Sequence, residues 1–400
     1  MKKSQQLYLL FLAFAGMIMI SIAFSYRGFL VPTFKTEFQI DNTRMGFVIS
    51  VSQLVSMGFT YFGGLYCLRI GQKRIIALGC FIVSVSMVLL GLAQSWMLLL
   101  VSYCGMSSGV ALLVLGLNTI LPLVTLYSQS ILMNFTHGIF GLGSTAAQRG
   151  LAWYLSEGFN WRLLFMGTAG FFVLHGILML LAPGEPSQEH REHRSTLPYK
   201  RFGFLLIAAL AFYVISEFLI GSWIINYFQE GFGYTPAKAA FYSTVFYGTF
   251  TLGRLAGGFI MNRVSRMKGI IVCMVLSALC VLAGQLLEGP FFILIGLSGL
   301  FFSIVYPTTV TISNEVYGKE GPYFIGISST ATALGVFGVN LVFGYLNDAL
   351  GVVLTFYGVP LCLTVSTVLF VLASRERKHL PARALVLETP EPPSFCQAVE

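Results

Sequence analysis

Apolar residues along this chain fall into long unbroken runs, and polar residues into short gaps between them. Twelve runs are distinguishable, over residues 7–34, 43–68, 74–93, 96–126, 131–155, 161–182, 202–228, 236–261, 270–287, 290–316, 323–346 and 352–373. Most hold about 20 residues or more, enough for a helix to cross roughly 30 Å of hydrocarbon. Stretches such as LLIAALAFYVISEFLIGSW lack the period-two alternation of barrel strands, which excludes a membrane β-barrel. The pattern predicts an all-α, polytopic membrane protein with twelve transmembrane helices.

Composition agrees. Hydrophobic residues are 56% of the chain and charged residues 10%, against about 25% charged in soluble domains, so a soluble globule is excluded. The net charge of +8 invites a nucleic-acid reading, but the basic residues are scattered over short gaps, so no nucleic-acid partner is expected. They act instead as topology signals. With the N-terminus inside, 17 of the 24 Lys and Arg residues fall in inner segments and 3 in outer ones. That bias predicts a multi-pass protein of the plasma (inner) membrane with both termini cytoplasmic. The run after Met1-Lys2-Lys3 is too long for a secretory leader. None of the seven cysteines forms a C-x-x-C pair and six lie in or beside apolar runs, so they are expected to pack rather than bind metal or bridge.

The longest internal polar stretch, PGEPSQEHREHRSTLPYKR, divides the spans six and six. The predicted organisation is an N-terminal six-helix bundle over 1–182, a cytoplasmic linker over 183–201, a C-terminal six-helix bundle over 202–373 and a disordered cytoplasmic tail over 374–400. The halves echo each other. GGLYCLRIGQKR after the second span answers GRLAGGFIMNRVSRMK after the eighth, and LPLVTLYS in the fourth answers YPTTVTIS in the tenth. Parallel repeats of this kind, in two pseudo-symmetric bundles, suit a central cavity where the halves meet.

The stretch G-x-x-x-x-R-x-G-x-K-R, with Gly64, Arg69, Gly71 and Arg74, resembles the signature loop of the major facilitator superfamily. Leu68 stands where that loop usually holds an aspartate. Two further stretches, NFTHGIFGLGS over 134–144 and YVISEFLIGSWIINYFQEGFGYTPAKAAFYSTVFYGTFTLGRLAGG over 213–258, are similar to the fucose/glucose–proton symporters. The resemblance implies the major facilitator fold and transport of a sugar or similar small polar solute by alternating access. It also implies a proton or sodium ion as coupling partner.

The candidate chemistry lies in ionisable and polar groups at membrane depth, where a charge costs at least about 2.5–3.5 kcal/mol. Glu217 stands mid-span in the seventh helix, with Trp223 and Asn226 following. Desolvation penalises its charge, which makes it the candidate to load and release a proton. In the fifth span Asn134, His137, Gly141, Ser144 and Gln148 share one helical face. That stripe is expected either to line the cavity or to join helices around its glycines. Asn118 and Asn340 are candidate cavity residues, Trp223 either stacks on a sugar face or packs, and His175 reads as a satisfied packing histidine. Arg254 either lines the cavity or pairs with helix ends. Arg27 and Arg149 lie near outer helix ends and can snorkel; alternatively Arg27 with Arg149 or Arg254 clamps a carboxylate or phosphate. The symporters often hold an acidic or small polar residue near the Arg27 position, so this arginine is a departure. Asn314 with Glu315, and Asn347 with Asp348, read as gate or capping groups.

There is no Walker loop, H-E-x-x-H or G-x-S-x-G, so neither ATP-driven transport nor catalysis is expected, and no cofactor or metal. The function expected is secondary active transport, with proton-coupled uptake of a sugar-like solute by a monomer in lipid. An organic-anion carrier and drug efflux are the alternatives. A solute sensor is disfavoured because linker and tail are too short for an output domain. A cysteine placed at Lys200, on the predicted inner side, is expected to resist a membrane-impermeant thiol reagent added outside intact cells; efficient labelling would reverse the topology.

Overall fold

The structure, a computed structural model, describes residues 3–121, 129–183, 199–261, 263–318 and 321–380. The side chains of Arg69, Asn134 and His137, most of the 183–201 linker and most of the tail lie outside the described residues. The chain folds into helices α1 (Lys3–Phe29), α2 (Val31–Phe38), α3 (Asn42–Ile70), α4 (Gln72–Gly91), α5 (Trp96–Ile120), α6 (Gln129–Ser156), α7 (Trp161–Leu181), α8 (Lys200–Phe232), α9 (Pro236–Met261) and α10 (Arg266–Leu287). A 3-10 turn (Gly289–Phe292) and α11 (Ile293–Leu297) lead into α12 (Gly299–Tyr317), followed by α13 (Gly321–Leu350), α14 (Val352–Thr355) and α15 (Gly358–Arg377).

Local chemistry sets the breaks. The expected first span runs on to residue 34, but the helix stops at Phe29 because Pro32 opens a separate helix, α2, in its first turn. Ser95 and Asn160 cap α5 and α7 by accepting the Leu98 and Arg162 backbone N–H groups. Gly71, at φ +90°, makes the turn between α3 and α4 that a side chain would resist. Ten helical segments among the described residues are long and apolar enough to cross a membrane. α6 and α9 have the length, at 28 and 26 residues, but not the apolarity. One carries Asn134, His137, Gln148 and Arg149, and the other Arg254 among threonines and tyrosines. Large apolar side chains such as Leu181, Phe204 and Phe11 stand exposed, 66–73%, where lipid would cover them.

α1, α3, α4, α5, α6 and α7 form one bundle, and α8, α9, α10, α12, α13 and α15 the other. Between bundles α1 packs on α8, α3 on α13 and α6 on α9. A two-fold that exchanges first-half and second-half spans maps the first pairing onto itself and swaps the other two, which is the repeat symmetry expected from the sequence. Both bundles begin and end at one face, here the terminal face; the other is the far face.

The halves are closed together at the far face. A Cβ on Gly28 would lie 2.1 Å from the Gly221 carbonyl oxygen. Gly46 and Gly344 let α3 and α13 touch backbone to backbone: a Cβ on Gly344 would lie 2.5 Å from Asn42 O and 2.9 Å from Gly46 Cα. Overpacking such a contact costs about 1–3 kcal/mol, and only the state in which the contact is made bears that cost. Gly344→Val is therefore expected to open the far face. Spin labels at Thr36 and Lys238, on far-face ends of the two halves, should move apart in pulsed dipolar measurements; an unchanged distance distribution would refute the closure.

Candidate functional site

Where α1, α3, α5, α8 and α13 converge there is a cavity of about 30 Å³ between the halves, room for about one water. Its lining mixes aromatic and polar groups: Phe24, Arg27, Ser52, Gln53, Tyr103, Phe218 and Ser222. A wider hollow of about 500 Å³, edged by Glu230 and Tyr357, lies off this axis at the far rim of the second half.

Arg27 reaches the cavity from the last turn of α1. Its Nη1 donates to Ser107 Oγ at 2.8 Å, and its guanidinium lies 5.3 Å from the Phe24 ring centre. Its carbonyl accepts from the Tyr103 hydroxyl at 2.7 Å, which fixes the backbone there. None of the ion pairs found among the described residues involves Arg27.

Glu217 lies one helical turn beyond Tyr213 on α8, facing its hydroxyl. Arg254 of α9 and Tyr306 of α12 are in electrostatic reach. Arg254 stacks 4.5 Å over Phe250 and its Nε has no hydrogen-bond partner; it too is absent from the ion pairs. The Tyr213 proton is donated to the Phe302 carbonyl at 2.8 Å. A phenol has one proton, so with that proton on Phe302 Tyr213 offers Glu217 an oxygen. Tyr247 of α9 lies in electrostatic reach of both Glu217 and Arg27, and Gly221 leaves the room its hydroxyl occupies. A carboxyl, two arginines and four tyrosines thus gather beside the seam.

A second polar cluster locks the far face. Asn42, at the start of α3, donates from Nδ2 to Asp348 at 2.9 Å and to Glu230 at 3.2 Å. Its Oδ1 accepts from Lys35 at 2.7 Å and from Asn226 at 3.1 Å. Lys35 also pairs with Glu230, and Asp348 accepts from the backbone N–H groups of Asn42 and Thr43. Every one of these links except Lys35–Asn42 joins one half to the other.

The remaining candidates fall elsewhere. Trp223 donates to Asn340 Oδ1 at 2.9 Å, and Asn340 donates in turn to Val336 O, so both are buried and paired inside the second half. Asn226 and Asp348 belong to the far-face cluster. The described part of the α6 stripe meets helices rather than the cavity: the Ser144 carbonyl accepts from Ser25, and Gly141 lies against Thr251 of α9. Ser144 Oγ, Gln148 Oε1 and Asn118 Oδ1 are buried without partners. Arg149 is exposed, which removes it from a clamp with Arg27. His175 is buried against Gly16 with Nε2 unpartnered, a correction to its reading as satisfied. Glu315, expected as a gate group, joins Arg266 and Arg377 within the second half. Around the turn between α3 and α4, Arg74 is exposed and Gly64 faces open space, while Lys73 is buried and donates to Ala182 O at 2.6 Å.

Sequence inspection missed Asn42, Glu230, Lys35, Gln53, Ser107 and Tyr103. Polar residues at span ends and hydroxyls within spans are too common to stand out. Ser108, beside Ser107, shows the ordinary case by donating to its own helix at Cys104 O.

Comparison with known proteins follows the same lines. The chain is 24% identical over 390 residues to multidrug resistance protein 1 of Bacillus subtilis, covering 93% of this chain and 96% of that one. It is 25% identical over 371 residues to the glucose/galactose transporter of Brucella abortus, covering 83% and 86%. In fold it is similar to the crystal structure of the E. coli fucose:proton symporter, with a TM-score of 0.65, 19% identity and coverage of 92% and 99%. The family description Major Facilitator Superfamily matches residues 9–206 and again 205–394. With the helical architecture, the two-fold pairing of halves and this match over both of them, the chain belongs to the Major Facilitator Superfamily and is one of its multi-pass membrane transporters.

Proposed function

We propose that this transporter takes up a sugar-like, small polar solute in symport with protons, by alternating access. The observation that carries the proposal is Glu217, a carboxyl sunk to membrane depth between Tyr213 and Arg254, beside the seam along which the halves must move. The names of two relatives, a glucose/galactose transporter and a fucose:proton symporter, support it. In this account the termini and the linker are cytoplasmic in the plasma membrane, so the far face is the outside and the structure is closed to it. When the halves part there, the Asn42 cluster separates and water reaches the seam.

Glu217 then exchanges its proton with water on whichever side is open. Carrying the proton, it meets the Tyr213 oxygen as a donor; having lost it, it turns to Arg254, which forms no ion pair among the described residues. Each protonation state therefore has its own partner, which is what a coupling group requires. Efflux of drugs, raised by the Bacillus subtilis relative, fits less well for cationic compounds. Two arginines and one carboxyl beside the seam repel cations.

Glu217→Gln keeps the shape and removes the exchangeable proton. It is expected to abolish pH-driven accumulation in proteoliposomes while leaving exchange of solute across the membrane, since exchange needs no net proton movement. Accumulation against a gradient in Glu217→Gln would exclude the coupling role.

A further inference from the structure

We infer that the transported solute carries a carboxylate, bound by Arg27, and belongs to the hydroxylated acids such as uronic and aldonic acids. This rests on the proposed transport of a sugar-like solute and names its chemical class.

The first ground is charge. Along the seam at membrane depth stand Arg27, Arg254 and Glu217. Arg254 and Glu217 face each other across the second half, and their charges offset whenever Glu217 is ionised. Arg27 sits on the first half, and no carboxylate lies within ion-pair distance among the described residues. A guanidinium does not shed its proton to escape a poor environment, and an uncompensated charge in low dielectric is costly. Its neighbours, the Ser107 hydroxyl and the Phe24 ring, are neutral. A snorkelling arginine would reach water at the far face, but this one borders the cavity between the halves, with Tyr103 holding its backbone in place. The missing counter-charge is therefore the solute's.

The second ground is the lining. Of the five guanidinium N–H groups, one is taken by Ser107 and the rest are left for a carboxylate, which a guanidinium matches in two-point fashion. Gln53 and Ser222 edge the same cavity with groups that both donate and accept, as hydroxyls require, and Ser52, whose proton goes to the Ile49 carbonyl, adds an acceptor. Phe24 and Phe218 supply apolar faces of the kind a sugar ring stacks on. A plain aliphatic or aromatic acid would leave the amide and hydroxyls unmatched, and a neutral sugar would leave Arg27 unmatched.

Matched pairs decide the point. Binding of galactose against galacturonate, and of glucose against glucuronate and gluconate, is measured by calorimetry on the purified full-length protein. The wild type is expected to bind the acids roughly 30-fold or more tightly than the neutral sugars, the scale for losing one side of a buried charge pair. Arg27→Gln should erase that difference by removing the acids' advantage, and Arg27→Lys should keep part of the preference. Equal or tighter binding of neutral sugars by the wild type overturns the inference and leaves sugar transport standing. A preference for acids that survives in Arg27→Gln overturns the assignment to Arg27. Binding of benzoate but of no hydroxylated acid or sugar overturns both this inference and the sugar-like solute. Should Arg27→Gln fail to fold, the wild-type comparison still decides.

Discussion

A charge inside hydrocarbon must find either another polar group or a route to water, and that constraint shapes this protein more than any single contact. Most of its surface meets it by exclusion, with apolar side chains exposed around the belt and charges kept to the helix ends. What remains is concentrated. Arg27, Arg254 and Glu217 stand beside the one surface that can open, the seam between the halves. In the proposed cycle the cost of desolvation is recovered there when a solute or a proton arrives. A transporter needs polar groups whose partners change during the cycle, and the seam is the place where partners can change.

The same constraint explains the far face. Asn42 is a neutral amide holding two carboxylates, Asp348 and Glu230, while Lys35 supplies the single positive charge of the cluster. The Asn42 amide satisfies groups from two helices of the second half, α8 and α13, yet it brings no charge of its own. Parting the halves therefore returns its partners to water without stranding a buried ion. Beneath it the glycine contacts Gly46–Gly344 and Gly28–Gly221 bring backbones together over small areas. Closure thus rests on close packing, and the polar cluster sets its register. Tight glycine contact and reversible hydrogen bonds together suit a gate that must open many times.

Glu217 and Arg27 lie on opposite halves. The first lies on α8 with its partners Tyr213, Arg254 and Tyr306 all in the second half, and Tyr247 stands between it and Arg27 of the first. In the symport proposed above, proton loading and solute loading are separate chemical events on opposite walls, linked through a seam whose width both depend on. Such an arrangement couples them through the position of the halves and needs no direct contact between proton and solute.

Long apolar runs, the polar break after the sixth of them and the repeated basic turns were enough to read twelve spans in two related halves. Those features are local: span length is set by membrane thickness and polarity along a few tens of residues. Glu217 and Arg27 were equally visible, because any ionisable residue within an apolar run is out of place. Partners were not visible. The sequence placed Asn134, His137, Ser144 and Gln148 on one face but could not choose between cavity and neighbouring helix, since both hide that face from lipid; the fold turns Ser144 toward α1 and Gly141 toward α9. It offered Trp223 and Asn340 as separate candidates, and the fold joins them across 117 positions. It passed over Asn42, Glu230 and Lys35, whose residue types are ordinary at span ends. Asn42 meets Glu230 across 188 positions and Asp348 across 306. The sequence by itself determined which groups could not face lipid, because that depends on each residue's own hydration. Only the tertiary structure decided what each of them faces instead, because a partner hundreds of positions away leaves no mark on local periodicity.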